Sequence, residues 1–96
     1  MRGYELVLII DPEILEEDVP TAIEKVSQFI TGRGGEVANV NRWGRRKLAY
    51  PIQRHMEGNY VVTQFRLDPE QIAGLEASLG LAEEVIRHLV VRTDED

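Results

Sequence analysis

The sequence predicts a ferredoxin-like α+β fold: a βαββαβ sandwich in which two helices cover one face of a four-stranded antiparallel sheet. Three observations carry this expectation. Four segments either alternate apolar and polar residues or run uninterruptedly apolar, as strands do. Two further segments repeat apolar residues at three- and four-residue steps, as amphipathic helices do. The order is strand, helix, strand, strand, helix, strand, which is two βαβ halves in tandem, and right-handed crossovers then place both helices on one side.

The first strand is "YELVLII", Tyr4–Ile10, apolar enough to lie at the centre of the sheet and stopped by Asp11-Pro12. A helix follows over about Asp18–Arg33. Asp18 is a suitable N-cap, Pro20 fits the first turn, and Val19, Ala22, Ile23, Val26, Phe29 and Ile30 form one stripe. Gly32, Gly34 and Gly35 supply the stop. The second strand covers Glu36–Ile52. Gly44 in its middle predicts a bulge, and Pro51 predicts an edge position. "QRHMEGN" reads as a polar turn before a third strand over Tyr60–Leu67, whose core face is Val61, Thr63, Phe65 and Leu67. Asp68-Pro69-Glu70-Gln71 opens the second helix as a capping-box variant. Ile72, Leu75 and Leu79 form its stripe, and Gly80 ends it. The last strand is Val85–Arg92. Length predicts one domain over residues 1–93, with a short acidic tail at 94–96.

The sheet face opposite the helices has no layer of its own. Val7 and Ile9 of the first strand and Tyr60 and Val62 of the third fall on it by parity, so a partner protein is expected to cover them.

Charge is distributed unevenly. The chain carries −6 overall, yet residues 37–56 hold Arg42, Arg45, Arg46, Lys47 and Arg54 and no acid, which leaves −11 for the remainder. A local cationic strip on an acidic body can bind phosphate, because such contacts act within a Debye length of about 8 Å. The same cations would also protect a strand edge from aggregation. Trp43 and Tyr50 add aromatic surface to the strip and are grouped with Val7, Ile9, Tyr60 and Val62 as the partner-facing set. The RNA-recognition-motif family shares this topology, but its aromatic platform is missing. In "EGNYVVTQ", Gly58 and Val62 match its signature, while Asn59, Val61 and Gln64 stand where aromatics are required. RNA would therefore be bound by the charged strand, ends and loops.

Other function classes find no support. Cysteine is absent, which removes disulfides and thiolate chemistry. His55, in the polar turn, is expected to be solvated, and His88 to be a packed strand residue. They lie far apart with no metal-ligand spacing, so no metal and no cofactor are expected. Thr21, Ser27 and Thr31 have no paired base, and "TGRGG" follows a helix where a phosphate loop would open one. No enzymatic activity and no small-molecule substrate are expected. A metabolite-binding regulatory module on the same fold is the alternative. An acylphosphatase-like site would need an anion-cradling loop after the first strand, and here that loop is the acidic "DPEILEED". Leu6–Ile10 is too short for a signal-peptide core or a membrane span, so a cytoplasmic protein without membrane contact is expected.

In combination, "WGRRKLAYPI" (43–52), "RGYELVLIIDP" (2–12) and "VIRHLVVR" (85–92) resemble the bacterial small-subunit ribosomal protein six family over essentially residues 2–92. The resemblance implies the ferredoxin-like fold reached above. It also implies binding to the central domain of the small-subunit rRNA on the ribosome, as a heterodimer with small-subunit ribosomal protein eighteen. On that resemblance Arg2, Arg45, Arg46 and Lys47 are rRNA contacts, joined by Tyr4, Arg87 and Arg92. Arg42 joins them as part of the strip.

Overall fold

The structure, a computed structural model, describes residues 1–93. The acidic tail expected at 94–96 lies outside the described residues. The elements run β1 (Arg2–Ile10), α1 (Val19–Gly32), β2 (Glu36–Ile52), β3 (His55–Leu67), α2 (Ile72–Leu81) and β4 (Val85–Arg92), with a short 3₁₀ turn before each helix. The strands form one sheet in the order β2-β3-β1-β4, every neighbouring pair antiparallel. The ferredoxin-like expectation holds, with the apolar β1 central and the Pro51-bearing β2 at an edge.

One face of the sheet carries the core. Tyr4, Leu6, Leu8 and Ile10 of β1 and Val61, Phe65 and Leu67 of β3 pack against Val19, Ala22, Ile23, Val26 and Ile30 of α1 and Leu75 and Leu79 of α2. Burying a side chain of this size is worth about 1.5–3 kcal/mol, so this layer dominates the fold's stability. Phe29 and Ile72, expected in the buried stripes, are only partly buried at the margin of the core. The Arg33 guanidinium sits 4.7 Å above the Phe29 ring.

The caps differ from expectation. Asp18 and Asp68 make no side-chain cap bond. In both places a 3₁₀ turn occupies the entry, with backbone bonds from Asp18 N to Leu15 O at 2.8 Å and from Gln71 N to Asp68 O at 2.9 Å. Gly80 lies inside α2, which runs one residue further before Ala82 turns extended.

The largest difference is at the hairpin. "QRHMEGN" is not a turn: β3 begins at His55, and only Gln53 and Arg54 connect the strands, with φ of 49° and 70°. Two consecutive positive φ values define the type I′ connection, whose twist matches that of paired strands. The sequence signal for it, Asn-Gly or Asp-Gly, is absent here. The tight turn makes β2–β3 a long hairpin, and its distal half packs onto the other sheet face. There Leu48, Ile9 and Ile86 are buried, with Ile52 and Tyr60 against them.

Candidate nucleic-acid interface

The bulge expected at Gly44 is present and arranges the cationic strip. The pairing of β2 with β3 shifts between Arg42, opposite Val61, and Gly44, opposite Tyr60, and Gly44 has φ 81°. Trp43 is the inserted residue, so the alternation of faces restarts after it. Arg42 and Arg45 consequently both turn toward the helix side. Arg42 Nη2 lies 2.6 Å from Glu16 Oε1. Arg45 donates from Nη2 to the Pro12 carbonyl at 2.7 Å and stands 3.6 Å from Glu57. Arg46 goes to the other side, with its guanidinium 5.7 Å from the centre of the Trp43 ring. Lys47 is exposed.

These ion pairs do not lock the strip. The Arg45 and Glu57 side chains are 56% and 46% exposed, and Glu16 is 79% exposed. Exposed pairs are worth about 0–1 kcal/mol, so a phosphate can exchange for either carboxylate.

The other cationic candidates sit elsewhere. Arg87, opposite Ile9 on β4, is on the open face, where it hydrogen-bonds the Tyr50 hydroxyl and lies 5.8 Å from the ring centre. Arg2 and Arg92 belong to the far end of the sheet, paired with Leu67 and Tyr4 respectively. Arg45 is level with Asn59 and Ile10, at the opposite end of β1. At about 3.3 Å per residue the two ends are roughly 25 Å apart, well beyond a Debye length of about 8 Å. The candidates therefore form two separate cationic regions rather than one patch. Tyr4 belongs to neither. It is 8% exposed and stacked on Phe65, centroids 5.5 Å apart, in the helix-side core. Even parity on β1 turns it inward with Leu6 and Leu8, so it is a core residue and not a surface contact.

The six partner-facing candidates share one face, but Ile9, at 6% exposure, is buried there with Leu48 and Ile86 and is not a surface contact. Val7 is paired with Val62 and Ile9 with Tyr60, all on the face away from the helices. Trp43 stacks on Tyr60, and both Trp43 and Tyr50 are about half exposed. Val7, Ile9, Tyr50 and Tyr60 line a groove of about 220 Å³, with Leu48 and Ile52 of the hairpin as its wall and Arg87 and Leu89 at its β4 side. Leu89 and Val91, at 50% and 44% exposure, extend this surface. Parity on β4 places them there, and sequence reasoning did not single them out. Among the described residues, no helix lies over this face and none is long and apolar enough to cross a membrane.

Known proteins resemble the chain in sequence and fold over nearly its whole length. The family model described as Ribosomal protein S6 matches residues 3–92. Small ribosomal subunit protein bS6 of Caldanaerobacter subterraneus subsp. tengcongensis is 41% identical over 95 residues, covering 99% of this chain and all of its own. The protein of the same name from Fusobacterium nucleatum is 40% identical, with 98% and 100% covered. The crystal structure of 30S ribosomal protein S6 from Thermotoga maritima superposes with a TM-score of 0.91 at 36% identity, covering 96% of this chain and 87% of that one.

Proposed function

The chain belongs to the ribosomal protein S6 family, structural and non-enzymatic proteins of the small ribosomal subunit, and from that membership we propose that it binds the central domain of the small-subunit rRNA as a heterodimer with small-subunit ribosomal protein eighteen. The observation that carries the proposal is the pairing of an uncovered apolar sheet face with cations at its border. Val7, Ile9, Tyr60, Val62, Trp43 and Tyr50 share that face, and Arg46 and Arg87 stand over two of its rings.

Charge explains why a partner is needed. A strip of +5 on a body of −11 is a weak RNA binder by itself. Non-specific affinities sit at roughly 10⁻⁴–10⁻⁶ M even for basic proteins, and the acidic remainder repels phosphate. A basic protein docked on the open face removes apolar surface from water, offsets the negative charge and joins the cations into a wider phosphate-binding surface. The two proteins then bind RNA cooperatively, by about 1–3 kcal/mol.

Trp43 is the sole tryptophan and half exposed on the docking face, so it reports on the contact directly. Titration with protein eighteen should shift its emission to shorter wavelength, and a central-domain rRNA fragment should then bind about 5–150-fold more tightly than to the chain alone. Equal RNA affinity in both titrations would reject the cooperative reading. An unchanged Trp43 spectrum in a formed complex would move the partner to another surface.

A further inference from the structure

We propose that Asp11, Glu13 and His55 form a binding site for a divalent transition-metal ion of the zinc type. No spacing in the sequence shows it, because the residues come from two elements 42 positions apart at the closest. The fold assembles them. Asp11 and Glu13 follow β1, and His55 is the first residue of β3 after the two-residue turn. His55, expected to be solvated, has a side chain only 17% exposed; that of Asp11 is 23% exposed and that of Glu13 81%.

Two carboxylates alone would be an ordinary acidic corner. The imidazole changes the chemistry, and the distances say how. His55 Nε2 is 3.6 Å from Asp11 Oδ1 and 3.9 Å from Glu13 Oε2, and one ligand atom from each residue lies within 4.8 Å of the others. His55 Nε2 is beyond hydrogen-bond length from both carboxylates, and Asp11 Oδ1, which accepts the Glu13 backbone N–H at 2.8 Å, keeps a second lone pair for an ion. The separations are close to what a shared ion needs. Zinc–nitrogen and zinc–oxygen bonds of about 2.0–2.2 Å put neighbouring ligands of a tetrahedron about 3.3–3.6 Å apart. Contraction by a few tenths of an ångström brings His55 to its two partners. Glu13, exposed and on a loop, closes the remaining edge. Three protein ligands leave the fourth position for water.

The donor set selects the metal class. One nitrogen and two carboxylate oxygens suit zinc, and less strongly manganese, by the usual affinity order. Magnesium demands a near-ideal octahedron of oxygens and gains little from an imidazole. A bound ion would fasten the loop after β1 to the turn end of the β2–β3 hairpin, adding to the bond from Arg45 of β2 to the Pro12 carbonyl.

The test is calorimetric titration of the full chain with ZnCl₂, MnCl₂ and MgCl₂, with thermal melts in parallel. One zinc per chain is expected, bound more tightly than manganese and much more tightly than magnesium, with a higher melting temperature in its presence. His55→Ala should weaken zinc binding about 10-fold or more, since even outer-sphere changes produce effects of that size. His88→Ala, which alters the other histidine, should leave it intact. Should His55→Ala unfold, the exposed Glu13→Gln decides the matter: weaker zinc binding supports the site, and unchanged affinity overturns it. Absence of saturable zinc binding, or a loss caused by His88→Ala and not by His55→Ala, also overturns it. None of these readings depends on RNA or on a partner protein.

Discussion

Trp43 lies nearly parallel to Tyr60 on the open face of the sheet, the ring centroids 6.3 Å apart and the planes inclined by 12°. The stack follows from the bulge. Two consecutive residues, Trp43 and Gly44, span one position of β3, so the indole settles beside Tyr60 and Arg46 returns to the same side further along the strand. The bulge thus leaves Arg42 and Arg45 on the helix side and puts Trp43 and Arg46 together on the open face.

Gly44→Ala should destabilise the protein by about 1–2 kcal/mol, the cost of forcing a residue with a Cβ into the left-handed region. The cause would be backbone strain alone, because a Cβ at this position meets nothing within 4 Å. Chemical denaturation measures the loss, and Trp43 fluorescence shows whether the stack on Tyr60 survives. A variant as stable as the parent would mean that the bulge relaxes at no cost.

Gly58→Ala should be destabilising for the opposite reason. Its backbone is unstrained, but a Cβ there would stand 2.3 Å from Ile9 Cγ2, inside the cluster that holds the hairpin on the sheet. Overpacking of this kind costs about 1–3 kcal/mol. The double variant Gly58→Ala with Ile9→Ala should recover part of the loss, measured against Ile9→Ala alone, since it removes the clashing methyl. Purely additive losses would place the strain elsewhere.

The turn offers a gain. Gln53 and Arg54 both occupy positive φ, at 49° and 70°. Type I′ turns favour Asn-Gly at these positions, and a non-glycine residue in this region gives up about 1 kcal/mol. Gln53→Asn with Arg54→Gly should therefore raise stability by about 1 kcal/mol and leave the sheet unchanged. A lower melting temperature would show that the present pair makes compensating contacts.

That turn also marks where the sequence stops being informative. Period-two patterns locate the strands, and three-and-four-residue stripes locate the helices, because burial on one face imposes those periods. The core faces of β1 and β3 are readable for the same reason, down to Thr63 among the apolar residues of its face. Hidden are features set by local backbone geometry: a I′ turn without its usual residues, and 3₁₀ entries in place of side-chain caps. Tyr4 is misplaced by the resemblance because a resemblance conveys a residue type at a position, while parity on β1 decides which way the side chain points. The open face is legible as apolar. The proximity of His55 to Asp11 is not, since it depends on where a hairpin ends.

Arg45→Ala combined with Arg46→Ala tests whether the strip binds phosphate or only protects an edge. Each lost phosphate contact removes roughly 0.7–0.9 from the slope of log affinity against log salt, so the double variant should flatten it by about 1.4–1.8. Folding stability should fall by no more than about 2 kcal/mol, because Arg45 loses an exposed pair with Glu57 and its bond to the Pro12 carbonyl, and Arg46 loses a long bond to the Trp43 carbonyl and its contact with the ring. Arg2→Ala, at the other end of the sheet, should lower the slope by a further independent step, since the two regions lie beyond each other's screening distance. The measurement is a salt series of RNA titrations for the parent, the double and the triple variant. If affinity and slope are unchanged in the double variant while the triple variant loses one step, the strip protects the β2 edge and the phosphate contacts lie at the Arg2 end alone.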